Sequence, residues 1–232
     1  MDRVIIITGS RKGLGYSLCN YFLNEGDFVY GCSRRASAIT HDNYVHFRLD
    51  VSDEAAVTGM VKDIYKNKKR IDVLINNAGV ASMNHSLLTP CSTVKRIMET
   101  NFTGTFLMCR EVARYMIKHK NGRIINYSTV AVPLHLSGEL VYSSSKAAVE
   151  QLTRVLAAEI GEWGVTVNAV GPTPISTDLI KNIPEDKIKA LIQRQSIKRM
   201  GIFNDVLNVV KFFLSRESDF ITGQVIYLGG IS

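Results

Sequence analysis

Val4-Ile5-Ile6-Ile7-Thr8-Gly9-Ser10-Arg11-Lys12-Gly13-Leu14-Gly15 is an apolar, β-branched run that breaks into three glycines and passes into the helical pattern of Leu18, Tyr21, Phe22 and Leu23. A tight strand-to-helix turn needs residues without Cβ, for the turn itself and for close approach of a pyrophosphate to the N–H groups at the helix start. The stretch reads as strand, phosphate cradle and helix, although its G-x-x-x-G-x-G spacing differs from the common dinucleotide fingerprint G-x-G-x-x-G. Six more apolar runs follow, at Phe28 to Cys32, Tyr44 to Leu49, Val73 to Asn76, Arg123 to Tyr127, Val165 to Val170 and Gln224 to Leu228. With a helix-length segment expected after every run but the last, the pattern predicts an α/β fold: a seven-stranded parallel sheet with helices on both faces. An eight-stranded βα-barrel is disfavoured because it needs one more unit and about 250 residues.

A chain of 232 residues, 46% hydrophobic and 21% charged, is expected to form a single domain over residues 1–232. No stretch approaches the roughly 20 apolar residues of a membrane span, and the apolar run at the start is too short for a signal peptide, so a cytoplasmic location is expected. Cys19, Cys32, Cys91 and Cys109 show no CxxC or His-paired spacing, which predicts reduced thiols and no metal. The net charge of +7 allows nucleic acid, an anionic membrane or an anionic small ligand. The second strand points to the last of these. Dinucleotide folds that bind NAD place an acid about 20 residues beyond the glycine turn, whereas this chain has Cys32-Ser33-Arg34-Arg35. Two guanidinium groups, with Arg11 and Lys12, suit a 2′-phosphate through charge-assisted bonds, so NADP(H) is the expected cofactor and no nucleic-acid partner is required.

The chain resembles the short-chain dehydrogenase/reductase family along essentially its whole length. Thr8 to Gly15, Leu49-Asp50-Val51, Asn76-Asn77-Ala78-Gly79, Asn101, Tyr142 to Lys146 and Pro172 to Thr177 match that family's motifs in order. The resemblance implies a three-layer Rossmann fold with strand order 3-2-1-4-5-6-7. It implies that Gly9, Gly13, Leu14 and Gly15 cradle the cofactor, that Asp50 and Val51 flank its adenine, and that Asn77, Ala78 and Gly79 lie beside it. Pro172, Ile175 and Thr177 would contact the nicotinamide carboxamide, with Thr173 standing where the family usually has glycine.

Tyr142 and Lys146 are four residues apart and share one helix face. A nearby ammonium is expected to lower the phenol's ordinary pKa of about 10 by roughly 2 to 3 units, making Tyr142 the proton donor. By the resemblance, Lys146 also holds the nicotinamide ribose, and Asn101 supports a water-linked proton path to it. The family's serine, thirteen residues before the tyrosine, is Thr129 here, with Ser128 adjacent. Neighbouring strand residues point to opposite faces, so only one reaches the carbonyl. Thr129 is chosen for its spacing. His85, His135 and Glu139 fall in loops expected to border the substrate, and each alone reads more simply as a solvated loop residue.

These features predict an NADPH-driven reductase of a ketone. The resemblance is strongest to 3-oxoacyl-acyl-carrier-protein reductases, with sugar, polyol and steroid dehydrogenases as alternatives. A non-catalytic NADP-binding regulator on the same fold is a further alternative, which retention of Tyr142, Lys146, Asn101 and the hydroxyl at 129 disfavours. A carrier protein would be acidic, and Lys181, Lys187, Lys189, Arg194, Lys198 and Arg199 would offer it a basic rim. Assembly as a homotetramer or homodimer is expected from the family.

Overall fold

Successive side chains on a strand face opposite ways, and β1 (Val4–Thr8) uses this to feed two cores. Val4 and Ile6 join one apolar cluster, while Ile5 and Ile7 join another on the opposite face of the sheet. Each fully buried isoleucine of this run contributes roughly 1.5–3 kcal/mol relative to exposure. The computed structural model describes residues 2–176 and 183–231. Within them β1 is joined by β2 (Phe28–Ser33), β3 (Tyr44–Arg48), β4 (Val73–Asn76), β5 (Gly122–Tyr127), β6 (Val165–Gly171) and β7 (Val225–Tyr227). The seven form one sheet in the order β3-β2-β1-β4-β5-β6-β7, every pairing parallel. Strand order reverses between β1 and β4, which opens a crevice beyond their carboxyl ends.

One face is covered by α2 (Glu54–Lys68), α4 (Gly104–His119) and α6 (Leu140–Ile160), the other by α1 (Gly13–Asn24) and α8 (Phe203–Leu214). In α2, Val57, Met60, Val61 and Ile64 make the buried i, i+3, i+4, i+7 stripe, and the Asp53 carboxylate caps the helix by accepting from the Ala56 N–H at 3.0 Å. Shorter helices α3 (Cys91–Met98), α5 (Ala131–Leu134) and α7 (Glu185–Arg194) lie nearer the carboxyl ends of the strands.

One expected helix is absent. The segment 34–43 between β2 and β3 is irregular, because it offers only Ile39 as a large apolar residue and cannot build a core-facing stripe. The proline-rich stretch after β6 is likewise non-helical where described, and Ile175 makes an isolated parallel bridge with Gly201. Thr177, Asp178 and Lys181 lie outside the described residues.

Candidate active site

Conformation and packing both demand glycine in the first turn. Gly9 and Gly13 have φ of +68° and +58°, and a Cβ on Gly15 would collide with the Gly9 carbonyl. Thr8 Oγ1 accepts from the Ala78 N–H at 2.9 Å, and the Asn77 amide donates to the Thr8 and Gly9 carbonyls at 3.0 and 3.3 Å. The end of β4 is thus tied to the turn. Helix α1 begins without a side-chain cap and without an acid in its first turn, leaving the positive end of its dipole to an anion.

Beside this turn, Arg34 and Arg35 are exposed, and Arg34 reaches Asp50 at 4.0 Å. Asp50 also accepts from the Ser52 N–H at 3.1 Å and hydroxyl at 2.8 Å, while Val51 is buried against Gly104. Ser33 is half-buried: its hydroxyl donates to the Arg35 carbonyl at 2.6 Å and meets His46 Nε2 at 3.1 Å. The His46 ring also meets Tyr44 at 2.9 Å and the Arg35 carbonyl at 3.0 Å. Sequence reasoning missed Ser10, Tyr44 and His46, which together hold the arginine turn. Gly31 marked the spot, since any Cβ there would strike Tyr44 and Ser10. Residues for an NADP phosphate fit: a helix start without a side-chain cap, a turn with glycine at 9, 13 and 15, and two exposed guanidinium groups.

At the carboxyl end of β5 the two competing hydroxyls part. Ser128 donates to Glu150 on α6, which also accepts from Tyr227 on β7. Thr129 Oγ1 accepts from the Ala131 N–H at 3.3 Å and stands beside the Tyr142 phenol, and both Ser128 and Thr129 line one cavity. Lys146 is buried and donates to the Tyr127 carbonyl at 2.8 Å; burial lowers its pKa to about 8. The phenol moves the opposite way from expectation. Loss of water contact, with the nearby Glu139 carboxyl, pushes Tyr142 up to about 12, against the pull of the Thr129 hydroxyl. The ammonium expected to lower it is directed at a backbone carbonyl.

Asn101 sits in a π-helical turn, Glu99–Thr103, between α3 and α4, and is fully buried. Its amide donates to the Val80 carbonyl and the Ser145 hydroxyl, both at 2.9 Å, and its Oδ1 accepts from the Val80 N–H at 2.8 Å. It therefore fixes the chain just after Gly79 onto the helix that carries Tyr142 and Lys146. Ser145, also missed from sequence, completes that link by donating to the Tyr142 carbonyl at 2.7 Å.

Thr129, Tyr142 and Lys146 open on a cavity with about 150 Å³ of solvent-accessible space, walled by Leu14, Asn77, Gly79, Val130, Leu136, Pro172, Thr173, Pro174 and Ile175 among others. Glu139 lines it too and is buried, which corrects its reading as a solvated loop residue. His85 and His135 border a separate concavity.

The family model described as short chain dehydrogenase matches residues 3–188. A 3-oxoacyl-[acyl-carrier-protein] reductase of Buchnera aphidicola subsp. Schizaphis graminum is 32% identical over 234 residues, covering 98% of this chain and 96% of that protein. The (2S)-[(R)-hydroxy(phenyl)methyl]succinyl-CoA dehydrogenase subunit BbsD of Thauera aromatica is 35% identical over 238 residues, covering 99% and 96%. Among solved structures, that of ElxO with NADP bound superposes with a TM-score of 0.90 at 29% identity, covering 98% of this chain and 97% of that one.

Proposed function

The chain belongs to the short chain dehydrogenase family, and on that premise we propose that it is an NADPH-dependent reductase of a ketone, acting as a single catalytic domain. The observation that carries this reading is the convergence of Thr129, Tyr142 and Lys146 on one cavity, with the Thr129 hydroxyl beside the Tyr142 phenol. The cofactor is NADP(H), supported by Arg34 and Arg35 where an NAD site has an acid and by the NADP complex of a structural relative. Gly9, Arg11, Lys12, Gly13 and the start of α1 would hold its phosphates, and when bound it supplies the hydride. Thr129 donates to the carbonyl oxygen and steadies the charge that develops there. Tyr142 delivers its proton to the same oxygen, and a phenol at about 12 arrives fully protonated for that task. Lys146, cationic near neutrality, favours the phenolate left behind.

Two substrate readings follow. The names of relatives that act on acyl-carrier or CoA thioesters and the largely apolar wall support a 3-oxoacyl thioester, carrier-bound or free. A hydroxylated ketone, nearer the sugar and polyol alternative, is favoured by the buried Glu139. Exposed Phe106 on α4 and Val155 on α6 support assembly into a homodimer or homotetramer. NADPH oxidation measured against thioesters, sugars, steroids and small ketones tests the reading. On any substrate turned over, Thr129→Val should cost about a hundredfold or more in kcat because it removes a donor to the oxyanion, while Ser128→Ala should be mild. The reverse ranking in folded variants would transfer the role to Ser128.

A further inference from the structure

Glu139 stands at the N-cap of α6, three residues before Tyr142, yet its side chain makes no capping hydrogen bond. It is 5% exposed, and its Oε2 is buried without a hydrogen-bond partner among the described residues. Burial raises the carboxyl to about 7, and its charge is felt at the Tyr142 phenol. A carboxyl oxygen kept from water and left unpaired is costly, and no hydrogen bond among the described residues offsets that cost. Two further residues of the cavity wall, Thr173 and Tyr127, carry buried hydroxyls with no hydrogen-bond partner among the described residues. The remaining wall is mostly apolar, and of the three orphans Glu139 is the one that bears a carboxyl.

We propose that Glu139 is a specificity-determining residue that receives a hydroxyl borne next to the reacting carbonyl, so that the pocket selects a hydroxylated ketone on a mainly apolar body. A hydroxyl is the matching group because it donates to a carboxylate and also accepts from a carboxylic acid, meeting Glu139 in either state. An ammonium would meet only one of them. A 3-oxoacyl thioester has only carbon-bound hydrogens beside its 3-oxo group and would leave Oε2 unpaired. Sites built to bond a substrate hydroxyl discriminate strongly against the analogue without it, because their buried polar groups then go unsatisfied. This inference rests on the reading that Thr129 and Tyr142 hold the ketone.

The test compares 2-hydroxyacetophenone with acetophenone in the NADPH assay, for wild type, Glu139→Gln, Glu139→Leu and Thr129→Val. The ratio of kcat/KM for the hydroxylated over the plain ketone should fall about tenfold or more in Glu139→Leu and much less in Glu139→Gln, which keeps an acceptor. In parallel, calorimetry on the wild-type enzyme with NADP should show 1-phenylethane-1,2-diol binding more tightly than 1-phenylethanol, and this needs no variant to fold. An unchanged ratio in Glu139→Leu, or equal binding of diol and mono-ol, overturns the proposal. Thr129→Val should slow both ketones alike. If it does so while the Glu139 ratio stays fixed, the specificity proposal fails alone; if Thr129→Val slows neither, the underlying site reading fails with it.

Discussion

Arg34 shows how one side chain can select between two cofactors. It is exposed, and its one ion pair among the described residues is a 4.0 Å approach to a partly exposed Asp50, a geometry worth little in water. Moving that guanidinium onto a phosphate therefore sacrifices almost nothing. A charge-assisted contact contributes about 1.5–3 kcal/mol, so Arg34→Ala should weaken NADPH binding roughly tenfold to a hundredfold and leave NADH nearly unchanged, as read by fluorescence titration of both. Equal losses for the two would sink the assignment. The arginine was legible because an expected carboxylate was missing at a fixed distance from the glycine turn. The protonation of Tyr142 was not legible: spacing places Lys146 on the same helix face, but only the packed structure shows its ammonium bonded to the Tyr127 carbonyl and the phenol withdrawn from water. Glu139 escaped for the same reason, since burial of a loop carboxyl leaves no periodic trace in sequence.

At the level of elements, strand periodicity carried most of the fold. Seven runs became seven strands with shifts of a residue or so at their ends, while Ser128 and Thr129 lie just past β5 and both line the cavity. What alternation cannot reveal is the destination of the Ser128 hydroxyl. Ser128 and Tyr227 both donate to Glu150, so one buried carboxylate joins the end of β5, helix α6 and strand β7 across 22 and 77 residues of sequence separation. Arg154 approaches the same group at 3.4 Å. The helix missing between β2 and β3 is the complementary case: segment length suggested it, and the absence of an apolar stripe decided against it. Hydrogen bonds to a buried charge contribute about 1.5–3 kcal/mol each. Glu150→Ala should therefore destabilise the chain by about 3 kcal/mol, lowering Tm by roughly 6–12 °C for a protein of this size. Differential scanning calorimetry checks it, and a shift under about 2 °C would mean that the junction is held by apolar packing alone.

Across the whole molecule the +7 charge is unevenly neutralised. Arg3, Arg70, Arg110, Arg114, Arg123 and Arg154 all pair with carboxylates away from the glycine turn. The basic rim expected between β6 and β7 is also partly spent: Lys189 pairs with Glu185 at 2.8 Å and Arg199 with Asp205 at 2.7 Å. Lys187 and Arg194 have no ion pair among the described residues. That weakens the case for a carrier-protein dock and leaves the corner formed by Arg11, Arg34 and Arg35 as the place where positive potential meets a ligand site. NADPH carries one phosphate group more than NADH, so its encounter should be steered by this field and screened by salt, with a Debye length of about 10 Å at 0.1 M. Between about 0.02 and 0.5 M NaCl, kcat/KM for NADPH should fall by roughly fivefold or more, and the slope for NADH should be clearly shallower. Arg34→Ala should bring the NADPH slope towards that of NADH. Parallel slopes for both cofactors in the wild-type enzyme would show that the excess charge acts on solubility or on some other surface, and that Arg34 recognises the phosphate only after contact.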